Sequence, residues 1–349
     1  MLNIRTWILF SLPLLLSTPA FAIQSGSQSF GVPSGGFSVP ATPQRSCSRS
    51  LQQPVYSQPA YQSSPQVVYQ SAQSVQAQPV QSFTSARSSS LNVIDAAFQQ
   101  NNPNSPYAVD HSPWNQFLSR NLSFDGQGVS RVSYGRISAQ DRQLLSGYLQ
   151  KLQGTDIRTL NRNEQLAFWF NLYNARTVKL VLDNYPVSSI QNVSGGQAFD
   201  APNAVNVLGR NLSLNNIETG IIRPLWNDPR IHYALNCGAA GCPNLASTAY
   251  NSQTLDSQLN SAAQQFINSD RAVRRTASGV QTTKIYSWYK EDFGGSDQGV
   301  LAHIRQYASP STLSKINGVN SIENYYYDWS LNDASGGFSA QPVSNGYSW

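Results

Sequence analysis

Residues 166–182 hold Leu166, Ala167, Phe168, Trp169, Phe170, Leu172, Val178 and Val181, and the stretch is apolar nearly all round. A helix without a polar side has to be buried, so this segment predicts the central helix of one core. Asn161-x-x-Glu164 makes a capping-box-like start and Tyr185-Pro186 an end, giving an expected helix over 163–184. Asn171 and Asn174 interrupt the apolar run three residues apart and share a face. A buried amide left without partners costs about 1–3 kcal/mol. Two roles are open to the pair: tying the helix to a neighbouring backbone, or facing a site and orienting His232 or a substrate carbonyl.

Around this helix the pattern is mostly helical. Residues 91–100 read as a short amphipathic helix, and His111-Ser112-Pro113-Trp114 begins another, with Ser112 as cap and Pro113 in the first turn. His111 at that entry reads as a surface or capping residue. An extended stretch over 129–134 leads into a helix from Ser138 to Gly154. Residues 205–212 read as a hairpin, Ser213 caps a helix holding Ile217, Ile221 and Ile222, and Thr254 caps one running to Ile267. Residues 280–289 read as a strand and 300–307 as the last helix, with His303 on its surface or in packing. The expected fold class is α+β: a mostly helical single domain around the long helix, with a small sheet including 231–236 and 282–288.

Composition sets the boundaries. Residues 1–22 have the form of a signal peptide: Arg5, an apolar run over 7–16, then Ala20-Phe21-Ala22. That run is too short for the roughly 20 residues of a membrane helix, so the expectation is a secreted or periplasmic chain with no integral membrane segment. Residues 23–90, rich in Gln, Ser and Pro, read as a disordered stalk, 91–332 as the globular domain, and 333–349 as a flexible tail. The net charge of +5 is mild, and its one cluster, Arg271, Arg274 and Arg275, lacks interleaved aromatic residues. It reads as a solvated helix end or loop, and nucleic acid is not an expected partner.

The chemistry concentrates in Arg230-Ile-His-Tyr-Ala-Leu-Asn-Cys-Gly-Ala-Ala-Gly-Cys-Pro. The chain has three cysteines and three histidines, and His232, Cys237 and Cys242 fall in this one stretch. His232 to Asn236 reads as a strand, Gly238 and Gly241 as a turn allowing close backbone approach, and Pro243 as the first turn of a following helix. Cys47 lies in the stalk. That leaves either a Cys237–Cys242 disulfide or a free reactive thiol, and the spacing permits both. One histidine with two cysteines lacks a fourth ligand at recognisable spacing, which makes a metal site the weaker reading; no cofactor is expected.

Four motifs in order resemble the domain of unknown function 547 family: Ala167-Phe-Trp-Phe-Asn-Leu-Tyr-Asn-Ala175, Tyr185-Pro186-x-x-Ser189-Ile190, Asp228-Pro-Arg-Ile-His232 through Cys237 to Pro243, and Tyr327-Asp-Trp-Ser-Leu-Asn332. The resemblance spans roughly 114–332. Plant relatives keep the first cysteine and carry Ser at the position of Cys242, which implies that a bridge is not the family-wide reason for the first cysteine. The family supplies no settled activity.

Two functional expectations follow. One is a thiol-dependent hydrolase or acyltransferase with Cys237 as nucleophile, His232 as base and Asn171 or Asn174 as orienter. Strict strand alternation would place His232 and Cys237 on opposite faces, so this needs the strand to bulge or end near Asn236. The other is a non-catalytic exported module with a structural Cys237–Cys242 disulfide, binding a peptide, glycan or small molecule.

Overall fold

In the computed structural model the central helix spans Arg162–Asn184. Asn161 caps it, its Oδ1 accepting the Glu164 amide at 3.0 Å. Its two middle turns are sealed: Ala167, Phe168, Trp169, Phe170, Asn171 and Leu172 show no accessible surface. The structure describes residues 95–335 apart from Asn203, all within the compact unit 81–349. The leader, the whole of the stalk and the end of the tail lie outside the described residues.

Helix Ala139–Gln153 packs against the central helix on one side and Ser112–Asn121 on the other, with Trp114 stacked between Phe117 and Tyr148. Two of the expected caps form, Ser138 accepting from the Asp141 amide and Ser213 making a reciprocal capping box with Asn216, whereas Ser112 is the first helical residue rather than the cap and Thr254, at the N-cap position, makes no side-chain cap bond. The hairpin also forms, Val205–Val207 pairing with Arg210–Leu212. Its turn puts Leu208 and Gly209 at φ 52° and 74°, the geometry that matches strand twist in two-residue loops.

A second apolar cluster lies under helices Leu255–Ile267 and Asp297–Tyr307. It backs a three-stranded sheet in which Val280–Thr283 pairs antiparallel with Val273–Arg275 and parallel with Asn324–Tyr326. The fold is therefore α+β, mostly helical, with small sheets. Among the described residues no helix is long and apolar enough to cross a membrane.

Several local expectations are corrected. Residues 231–236 are not a strand and join no sheet: Ile231–Ala234 is one helical turn, and the chain becomes extended at Leu235. The Asp228 carboxylate takes the Arg230 amide and the Arg230 carbonyl takes the Tyr233 amide, which folds the segment over itself. All four residues of the turn are buried, so the run has no polar face to separate one period from the other. The strand at 280–289 stops at Thr283 and a helical turn Ile285–Trp288 follows. No helix starts at Pro243; the backbone to Thr254 is irregular. The first short helix is Ala96–Gln99, capped by Asp95, and the helix with His303 is followed by another, Pro310–Ile316.

The three histidines are all buried. His111 is buried rather than on the surface, bonding through Nδ1 to the Tyr148 hydroxyl at 2.6 Å, and it holds the N-cap position of its helix without a side-chain cap bond. His303 is a packing residue, Nε2 lying 2.9 Å from the Tyr233 hydroxyl. Arg271 is no solvated loop residue either. Its guanidinium binds the Cys242 carbonyl and Asn244 Oδ1, and burial lowers its pKa to about 10. Residues 331–334 are stitched into the domain rather than trailing from it: Asn332 gives its amide to the Gly238 carbonyl, and the Ala334 amide bonds to the Val132 carbonyl.

Candidate functional site

The central helix builds the site by holding two loops with two amides. Asn171 exchanges a pair of hydrogen bonds with the Tyr250 backbone, Nδ2 to carbonyl at 2.8 Å and amide to Oδ1 at 3.0 Å. Asn174 does the same across a bend, donating to the Ala234 carbonyl at 2.9 Å and accepting from the Asn236 amide at 2.8 Å. Both amides are thus spent on backbone.

Asn236, fixed in this way, closes the neck of the cysteine loop. Its Nδ2 donates to the Pro243 carbonyl at 2.8 Å and its Oδ1 accepts the Gly238 amide at 3.0 Å. Cys237 and Cys242 are joined in a disulfide across that neck. Gly238 sits at φ 82°, a conformation that favours glycine. Gly241 lies against the 327–332 segment: a Cβ there would stand 2.7 Å from the Asp328 nitrogen. The same segment brings Tyr327 to the bridge, its hydroxyl 3.0 Å from Cys237 Sγ and 3.2 Å from Cys242 Sγ.

The helical turn at 231–234 aims His232 inward, with its side chain 1% exposed. Nε2 lies 2.7 Å from Asp292 Oδ2, and Nδ1 is 3.6 Å from Glu218 Oε1, too long for a hydrogen bond. The ring stacks on Tyr289 at 4.1 Å. Arg223 grips Asp292 in a fork, Nε to Oδ2 at 2.6 Å and Nη2 to Oδ1 at 2.8 Å. Glu218 opens a π-helical turn, Glu218–Ile222, a distortion common where a side chain is re-aimed for function. It accepts from the Tyr173 hydroxyl at 3.3 Å.

Electrostatics favour a charged imidazole. Burial alone would lower the His232 pKa, but the Asp292 hydrogen bond and the Glu218 carboxylate outweigh it and hold it above the ordinary value. Burial would likewise raise the Asp292 carboxyl, yet His232 and Arg223 bring it well below the usual carboxylate range. Enclosure of the Tyr327 hydroxyl, with Glu218 adding to it, pushes that phenol far up, so it remains a donor.

These groups surround one cavity of about 320 Å³. Phe199, Trp288, Tyr289, Tyr327 and Trp329 give it aromatic walls; Glu218, Thr219, Arg223 and Asn215 give it polar groups. His232, Cys237 and Cys242 all line it, because the helical turn removes the alternation that would have separated them. Asn171 and Asn174 do not. Glu218, Arg223, Asp292 and Tyr289 were not among the expected site residues, and Tyr173 stood only in a motif of the resemblance. A glutamate among Ile217, Ile221 and Ile222 was the one local signal available; Tyr327 and Trp329 stood in a motif noted only as a resemblance.

An α+β domain with an aromatic-walled cavity over a cysteine loop is the class that fold and site define. Residues 157–267 match the family described as "Protein of unknown function, DUF547". The match takes in Tyr173, Glu218, Arg223, His232 and both bridged cysteines; Asp292, Tyr327 and Trp329 lie beyond it. No curated protein and no solved structure matches the chain.

Proposed function

We propose that the protein is an exported binding module whose working part is the cavity over the Cys237–Cys242 bridge. The observation that carries this reading is the lining itself: aromatic faces with a few convergent polar groups, Glu218, Arg223 and Asn215, around about 320 Å³. That volume suits a small ligand, near the lower end of the roughly 300–1,000 Å³ of such sites. Apolar faces beside hydrogen-bonding groups suit a sugar ring or a peptide side chain. A bridged cysteine pair supports an oxidising compartment, in keeping with the leader-like residues 1–22.

Tryptophan fluorescence tests the reading against a panel of mono- and disaccharides and short peptides. At least one should give a saturable change that weakens tenfold or more in Glu218→Gln. No saturable change with any of them would count against it.

The thiol-hydrolase reading keeps one specific support, that Cys237 shares its cavity with His232, whose Nε2 is paired with Asp292. In that reading Asp292 replaces Asn171 and Asn174 as orienter, and the bridge has to open before Cys237 can act as nucleophile. Hydrolysis of a thioester or peptide substrate only after mild reduction, abolished in Cys237→Ser, would decide for it.

A further inference from the structure

The two sulfurs of the bridge are unequal. Cys242 is 1% exposed, whereas Cys237 is partly exposed at the cavity wall. An incoming nucleophile therefore meets Cys237 Sγ, and the sulfur displaced is that of Cys242. This buried sulfur accepts the Cys237 backbone N–H at 3.0 Å, and the Tyr327 hydroxyl, 3.0 Å from Cys237 Sγ, is also within reach of it at 3.2 Å and can turn its proton to Cys242 as charge develops there. Hydrogen bonds to a sulfur that is about to become an anion stabilise it as a leaving group, and a leaving thiol of lower pKa departs faster.

The loop is also held without the bridge. The Ala240 amide bonds to the Ser330 carbonyl at 2.7 Å, the Gly241 amide to the Asp328 carbonyl at 2.8 Å, and the Asn332 amide to the Gly238 carbonyl at 2.9 Å. Asn236 closes its neck, and Arg271 holds the Cys242 carbonyl. A bridge across so short a loop removes little chain entropy, so its breakage leaves the backbone in place.

We propose that Cys237–Cys242 is an exchangeable redox disulfide, with Cys237 the attacked sulfur and Cys242 the leaving sulfur, acting on small thiols or a peptide cysteine admitted by the cavity. A thiolate RS⁻ attacks Cys237 Sγ. The R–S–S–Cys237 bond forms, the Cys237–Cys242 bond breaks, and its electron pair stays on Cys242 Sγ, which takes a proton from water. A second thiolate attacks the R sulfur, releasing RSSR and the Cys237 thiolate. Two thiols are oxidised by two electrons in all, and the bridge is reduced by two; RSSR drives the steps in reverse. The proposal does not depend on which ligand the binding reading concerns.

The test uses the full chain with Cys47→Ser, free cysteine as the thiol, acid quenching and peptide mapping by mass spectrometry. The expected result is bridge opening without denaturant, a cysteinyl adduct on Cys237 and none on Cys242, and opening slowed about three- to tenfold in Tyr327→Phe. Should Tyr327→Phe fail to fold, two single-thiol variants decide instead. With cystine, Cys242→Ser should form a mixed disulfide on Cys237, while Cys237→Ser should leave Cys242 unmodified. A bridge that opens only in denaturant, adducts on both sulfurs, or a Tyr327→Phe rate equal to the parent's would overturn the proposal.

Discussion

His232 Nε2 stands 2.7 Å from Asp292 Oδ2, though sixty residues separate the two in sequence. The contact ties the helical turn beside the cysteine loop to the segment after Trp288, and it fixes the charge state of the cavity wall. His232 is raised above its ordinary 6.5 because Asp292 and Glu218 outweigh its burial. The folded chain then holds this proton more firmly than the unfolded chain. The resulting stabilisation is complete below the unfolded value and is lost as pH rises through the folded one. Thermal unfolding should therefore show stability declining as pH rises above 6.5, and His232→Gln should flatten that decline. A parent profile already flat over this range would contradict the charged imidazole.

His111 and His303 act with the opposite sign. Burial is the main cause holding both near pKa 4, against an ordinary 6.5. The unfolded chain binds protons more readily in that window, so stability falls as pH drops through it, by at most about 3 kcal/mol for each histidine. Imidazole proton resonances, assigned with single-histidine variants, provide the check: two should titrate near 4 and the third above 6.5. His111 titrating at its ordinary value would remove this account of acid sensitivity.

Asn174→Ala removes both hydrogen bonds that hold Ala234 and Asn236. Leaving two buried backbone groups unpaired should cost about 2–5 kcal/mol in urea unfolding. A cost below about 0.5 kcal/mol would mean the clamp does not position the loop.

Gly241→Ala places a Cβ 2.7 Å from the Asp328 nitrogen and 2.9 Å from its oxygen, both backbone atoms. The 327–332 segment must shift, at a cost of about 1–3 kcal/mol, and the Tyr327 hydroxyl should move off the bridge. Thermal unfolding should show the loss, and bridge opening by cysteine should slow as it does in Tyr327→Phe. An unchanged melting temperature would show that the two segments are not held in contact.

The central helix was legible because its signals are local: an unbroken apolar run, an Asn cap and a closing Tyr185-Pro186. The Ser138 and Ser213 caps and the 205–212 hairpin were legible for the same reason. The turn at 231–234 was not, since a short buried run fits a strand and a helix equally well. Half of the cavity was also hidden. Asp292 and Arg223 look like ordinary surface charges in sequence, and only tertiary folding brings them to His232. The cysteine pair was legible as a locus but not as a state, because its spacing permits both a bridge and free thiols.

Indole N–H resonances test the central claim, that the cavity over the bridge is the binding site, most directly. Trp288 and Trp329 line it, whereas Trp114 and Trp169 are sealed in the core at 1% and 0% exposure. Titration with a ligand that changes the fluorescence should shift the Trp288 and Trp329 signals saturably and leave those of Trp114 and Trp169 in place. Saturable binding that leaves Trp288 and Trp329 unmoved would place the site elsewhere and contradict the account.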